Sequence, residues 1–161
     1  MEVIAAVRPF GARVLVNDRI DVALAAGADG VHLKSDGPSV TDVRAIVATG
    51  LVVGRSVHTQ DEARAVEAVG GCDYLLFGTV FHSQSKPDDH RLAGLDGLRR
   101  ACAAVSLPVL AIGGITAARA REARGAGAAG VAAISLFAEA GDIAAVTAAV
   151  RDALTLPQGS V

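Results

Sequence analysis

The sequence predicts an α/β fold of parallel βα units rolled toward a (β/α) barrel, and three observations carry that expectation. Six short β-rich runs recur along the chain, beginning at Val14 (VLVN), Val31 (VHL), Val52 (VVGRS), Tyr74 (YLLFGT), Val109 (VLAIGG) and Val131 (VAAIS). Successive runs start 17, 21, 22, 35 and 22 residues apart, which is room for one helix each time. The runs are continuously apolar instead of alternating, as expected of strands covered on both faces. Strands spaced by single helices are parallel βα units.

Each element has its own signal, taken in chain order. Met1 to Arg8 reads as a helix leading into VLVN. The segment after VLVN is helical up to Gly27, a glycine stop ahead of VHL. Thr59-x-x-Glu62 is a capping box that opens TQDEARAVEAVGG, and Gly70 with Gly71 closes that helix. The 35-residue interval after Tyr74 is longer than a helix needs, and it contains SQSKPDD. Thr116 is placed to cap ITAARAREARGAG, whose Arg119, Arg121 and Arg124 read as a solvated helix face. The tail LPQGSV is expected to fray.

Composition narrows the function. The chain has 161 residues, 52% of them hydrophobic, and a formal net charge of -2, so it is expected to form one domain over residues 1–161 with a real core. The 15 Lys and Arg are scattered among 17 acids, with one Tyr and no Trp, so there is no basic stripe with a stacking platform and no nucleic-acid partner is expected. Cys72 and Cys102 are 30 apart without a CxxC and read as reduced thiols. The longest nearly apolar stretch, Gly125 to Ala138, is 14 residues broken by glycines, too short for a membrane span. Met1-Glu2 lacks a basic leader. A cytoplasmic protein is expected.

Two architectures accommodate these units, an open doubly wound sheet and a barrel. The first calls for G-x-G-x-x-G on an early strand-to-helix turn, and none follows VLVN or VHL. The barrel places phosphate sites on the loops after its last two strands. Here those strands end in Gly113-Gly114 and Ile134-Ser135. Bare glycine amides admit an anion and Ser135 adds a hydroxyl, so a side chain at Gly114 is expected to obstruct the anion.

All strand ends of such a barrel share one mouth. That mouth would gather Asn17, Asp18, His32, Ser56, His58, Ser83, Ser85, Lys86, Gly113, Gly114 and Ser135. Hydroxyls and an ammonium suit a diphosphate, and a strand-end acid suits Mg²⁺, which takes one or two carboxylates plus substrate oxygens. Each residue has a plainer role open to it. Asp18 would equally cap the next helix or pair with Arg19, His32 would serve as a hydrogen-bonded core histidine, and SQSK would be a solvated turn. Two histidines without a cysteine cluster do not make a zinc site.

The ordered series VNDRIDVALAAGADGVHL, GRSVHT, DYLLFGTVF with SxSK, PVLAIGGI and GVAAISLF resembles the thiamine-phosphate synthase and TenI family over residues 10 to about 140. The resemblance implies a TIM-type barrel that couples a pyrimidine-methyl diphosphate to a thiazole phosphate and releases pyrophosphate. On it, Asp18 is a Mg²⁺ ligand beside Asn17, Ser56 is the serine of GxSxH, and Ser83, Ser85 and Lys86 hold the diphosphate, with Lys86 and Ser56 in the chemistry. Gly113, Gly114, Ile134 and Ser135 would hold the thiazole phosphate. The family's second metal carboxylate falls on Gly37, with Asp36 one position early and taken as the second ligand. The histidine of TenI-type thiazole tautomerases falls on Thr79, with His82 close by. Tautomerase activity or non-catalytic binding of thiazole phosphate is the alternative function. Six strands stand where the family has eight, the first two being absent, so an incomplete barrel with free edges and self-association are expected.

Overall fold

The computed structural model describes residues 2–47, 50–83 and 92–155. In chain order these form α1 (Glu2–Val7) with a 3₁₀ turn at Arg8–Phe10, β1 (Leu15–Asn17), α2 (Ile20–Ala26), β2 (Gly30–Leu33) and α3 (Val40–Ile46). There follow β3 (Val52–Val57), α4 (Gln60–Val69), β4 (Tyr74–Phe77), α5 (Gly94–Ala104) and β5 (Val109–Ile112). The last elements are α6 (Ala117–Gly125), β6 (Gly130–Ala132), α7 (Ser135–Ala138) and α8 (Ile143–Thr155). The tail beyond Thr155 lies outside the described residues.

All six expected strands form, and they pair in parallel in strict sequence order from β1 to β6. A sheet wound in one direction curls as part of a barrel, whereas a doubly wound sheet would reverse its order. The fold is the expected (β/α) TIM-type partial barrel, with β1 and β6 as its two edges among the described residues.

The two faces of the sheet differ in burial. On the convex side, the row Leu33, Arg55, Leu75, Val109 and the row Val57, Phe77, Ala111, Val131 alternate with the concave positions. Leu33, Leu75, Phe77 and Ala111 are wholly buried there beneath the helices. Each large side chain so buried contributes about 1.5–3 kcal/mol. On the concave side Leu76, Leu110, Ile112 and Ala132 are only half-buried, because the barrel interior is open along one flank.

The helices stop and start where local chemistry dictates. Thr59 accepts from the Glu62 amide at the start of α4, and Glu62 reaches back to accept from the His58 amide at 2.7 Å, one residue earlier than a strict capping box. Thr116 caps α6 by accepting from the Arg119 amide. Gly27 ends α2 in the left-handed region at φ 65°, where a side chain is costly. Among the described residues, no helix is long and apolar enough to cross a membrane.

Candidate active site

The C-terminal strand ends open into a cavity of about 590 Å³, within the range of small-molecule sites. Ser56, His58, Thr79, Ser83, Gly113, Gly114, Ile134 and Ser135 all line it, over a floor of Leu76 and Ile112. Six expected site residues, Ser56, Ser83, Gly113, Gly114, Ile134 and Ser135, thus meet there. Ser85 and Lys86 lie outside the described residues. Asn17 is exposed at the end of β1, away from this cavity's lining.

The glycine turn after β5 is packed against the loop after β4. Val80 donates to the Ile112 carbonyl at 2.9 Å and Phe81 to the Gly113 carbonyl at 3.1 Å, extending strand-like pairing past the end of β4. Gly113 and Gly114 have φ of 102° and 61°. A Cβ on Gly113 would fall 2.4 Å from the Thr79 methyl, and one on Gly114 would fall 2.2 Å from the His82 carbonyl oxygen. A side chain at Gly114 would therefore meet the backbone of the neighbouring loop as well as crowd the turn expected to take an anion. The two glycines serve close packing of the loop that leads into SQSK.

The amides of Gly114 and Ser135 donate to no group among the described residues, and Ser135 is exposed. Amides in this condition at a cavity wall are ready donors to an anion. Arg119, expected to be part of a solvated face, instead folds back so that Nη1 donates to the Gly114 carbonyl at 2.7 Å. Its guanidinium also lies 5.1 Å from the Phe81 ring centroid. It therefore ties the glycine turn, the preceding loop and α6 together.

Beneath the cavity runs a polar chain that the sequence reading did not assemble. His32, Gly54 and Tyr74 stand in one row across β2, β3 and β4. His32 Nδ1 is 2.9 Å from the Tyr74 hydroxyl and Nε2 is 2.8 Å from the Ser56 hydroxyl. Gly54 permits this, since a Cβ there would overlap the Tyr74 ring at 2.1–2.5 Å. His32 is the hydrogen-bonded core histidine of the plainer reading, and desolvation lowers its pKa below 6.5, keeping the ring neutral. The one signal for the row was a mid-strand glycine beside the only tyrosine. His58 is exposed; Nδ1 donates to the Gly78 carbonyl at 2.5 Å and Nε2 lies 3.2 Å from the Ser35 hydroxyl.

Asp18 takes neither plain role. The residue capping α2 is Arg19, whose side chain makes no cap bond and pairs with Asp21. Asp18 sits at φ 55°, its amide donating to the His32 carbonyl. Its Oδ1 accepts from the Lys34 amide at 2.9 Å and its Oδ2 faces Lys34 Nζ at 3.0 Å. The Lys34 amide bond first, and then the ammonium, hold the carboxyl below its usual range. Asp36 is exposed and makes no hydrogen bond or ion pair among the described residues, acting only through its charge on Lys34. Asp18 and Asp36 thus both act on Lys34, Asp18 by direct contact and Asp36 through its charge alone. Among the described residues no group of three or more His, Cys, Asp or Glu could hold a metal.

Comparison with known proteins agrees with this geometry. A family model described as thiamine monophosphate synthase matches residues 1–137. The thiamine-phosphate synthase of Methanoculleus marisnigri is 46% identical over 143 residues, covering 88% of this chain and 67% of that protein. That of Moorella thermoacetica is 41% identical over 152 residues, covering 94% of this chain and 72% of its own. The thiamine phosphate pyrophosphorylase of Pyrococcus furiosus superposes with a TM-score of 0.82 at 39% identity, covering 92% of this chain and 70% of that one. A one-directional parallel sheet with its donors gathered at one mouth, and a family match running from the first helix into α7, place the chain in the thiamine monophosphate synthase family of thiamine-biosynthesis enzymes.

Proposed function

We propose that this protein acts in thiamine phosphate synthesis, joining a pyrimidine-methyl diphosphate to a thiazole phosphate with release of pyrophosphate. The observation that carries the reading is the shared cavity, where the amides of Gly114 and Ser135, without an acceptor among the described residues, share the wall with Ser56, Thr79 and Ser83. The thiazole phosphate takes the Gly113-Gly114 turn and Ile134-Ser135, with the ring over Leu76 and Ile112. The diphosphate lies toward Ser83, Ser85 and Lys86. In the reaction the methylene–oxygen bond breaks with its electron pair passing to pyrophosphate, and the thiazole nitrogen's lone pair forms the new carbon–nitrogen bond. An ammonium at Lys86 and hydroxyls at Ser83 and Ser85 stabilise the charge that grows on the leaving group. Ser56, held by neutral His32, offers its hydroxyl to the pyrimidine side.

Mg²⁺ is used in the family as a class. In this chain Asp18 and Asp36 are the carboxylates that would hold it; Asp18 departs from that role in being paired with Lys34, and no step above is routed through it. That departure favours a second reading, a thiazole-phosphate-binding protein without coupling activity. The tautomerase alternative would have Thr79 on the cavity wall where an acid–base group is needed. The open edges at β1 and β6 and the half-buried concave face favour self-association of the 161-residue chain.

Lys86→Ala separates the readings. Under the coupling reading it loses pyrophosphate release and keeps thiazole phosphate binding by calorimetry. Unchanged turnover in Lys86→Ala makes SQSK an ordinary turn. Absence of turnover in the unmodified protein, with tight thiazole phosphate binding, supports the non-catalytic reading.

A further inference from the structure

We propose that Lys34 is a built-in cation at Asp18, standing where a divalent ion would need the carboxylate, so that the free protein holds no Mg²⁺ at this strand end. Both Asp18 oxygens already have donors, both from one residue: the Lys34 amide on Oδ1 at 2.9 Å and its ammonium at Oδ2 at 3.0 Å. The ammonium in contact offsets the carboxylate's charge, leaving less to attract a divalent ion than a bare carboxylate would.

The neighbouring position would decide whether a metal could compete. A Cβ built on Gly37 falls 2.9 Å from Asp18 Oδ1, so residue 37 faces the carboxylate directly. A second acid there would set two carboxylates side by side, an arrangement that favours a divalent cation. Glycine supplies none. The loop carrying Asp36 and Gly37 is fastened by Arg55, which donates to the carbonyls of Ser35 at 2.7 Å, Gly37 at 3.4 Å and Pro38. An exposed ion pair alone is worth about 0–1 kcal/mol and would yield to a strong metal site. What excludes the ion is the pair combined with the missing second acid. The Lys34 side chain is 67% exposed, free to pass from Asp18 to a phosphorylated ligand and serve as its counter-charge.

The inference stands apart from the coupling reading, since it is tested on the free protein without turnover. Mn²⁺ is the probe, its free aqueous signal followed by electron paramagnetic resonance as protein is added. Wild type is expected to leave Mn²⁺ free, Lys34→Gln to bind it a few-fold more tightly, and Lys34→Gln with Gly37→Asp to gain about tenfold or more. Gly37 is not among the positive-φ residues, so aspartate suits its backbone dihedrals, and the Asp18 carboxylate, 2.9 Å from the added Cβ, must give way slightly to admit it. If the double variant fails to fold, the exposed Lys34→Gln alone decides. Uptake by wild type as tight as by the variants overturns the proposal, as does an affinity unmoved by Lys34→Gln.

Discussion

Replacing Gly114 by alanine tests the packing on which the site depends. The residue sits at φ 61°, where an L side chain costs about 1–2 kcal/mol. The added methyl would also fall 2.2 Å from the His82 carbonyl and 2.9 Å from the Phe81 carbonyl. Both contacts are backbone, so the 79–83 loop must move as a unit, and such overpacking costs about 1–3 kcal/mol. Together the expected loss is about 2–5 kcal/mol, read as a lower urea midpoint with an unchanged slope. Thiazole phosphate affinity falls as well, because the Gly114 amide is turned from the cavity. Gly11, also in the left-handed region but with open space around it, is the control and should lose only the conformational part. A Gly114→Ala protein within about 0.5 kcal/mol of wild type, binding thiazole phosphate equally, would refute the close-packing argument.

Tyr74→Phe leaves His32 Nδ1 buried without its partner and should cost about 1–3 kcal/mol in urea unfolding, whereas no loss would mean the ring nitrogen finds another partner. Arg119→Ala removes a charged hydrogen bond to the Gly114 carbonyl and should cost about 1.5–3 kcal/mol, only partly recovered by lysine, whose ammonium lacks the planar fork. His32 gives a pH signature. Its folded pKa is lowered by burial, so the unfolded chain binds the proton first as pH falls. The stability from the neutral ring is full above about 6.5 and lost as pH drops below it. Thermal unfolding from pH 8 to 5 should show this loss in wild type and less of it in His32→Asn; identical profiles would contradict it.

Much of the architecture was legible because it rests on local signals. Apolar runs at helix-length spacing gave six strands, and Thr59, Thr116 and Gly27 marked helix ends that the structure keeps. The cavity wall was legible too, since strand order brings Gly113-Gly114 and Ile134-Ser135 to adjacent ends. What escaped was side-chain reach across strands. Arg119 looked like one of three arginines on a helix face, and only the backward fold toward Gly114 distinguishes it. Lys34 drew no attention beside Asp36, yet the parallel register of β1 on β2 brings it against Asp18, sixteen positions earlier. The direction in which Gly114 would project a side chain depends on φ and on a loop from another βα unit, neither written in neighbouring residues.

The central claim is that the mouth of this partial barrel binds a thiazole phosphate through the glycine turn and the loop after β6. A titration of ¹⁵N-labelled protein with thiazole phosphate, followed by amide chemical shifts, tests it most directly. The account predicts saturable shifts that are largest at Gly113, Gly114, Ile134 and Ser135, with smaller ones at Ser56 and Thr79. Saturable binding centred on Arg13, Arg44 and Gly71, which line a cavity at the opposite strand ends, would contradict it. So would amides at the glycine turn that stay unmoved while the ligand binds.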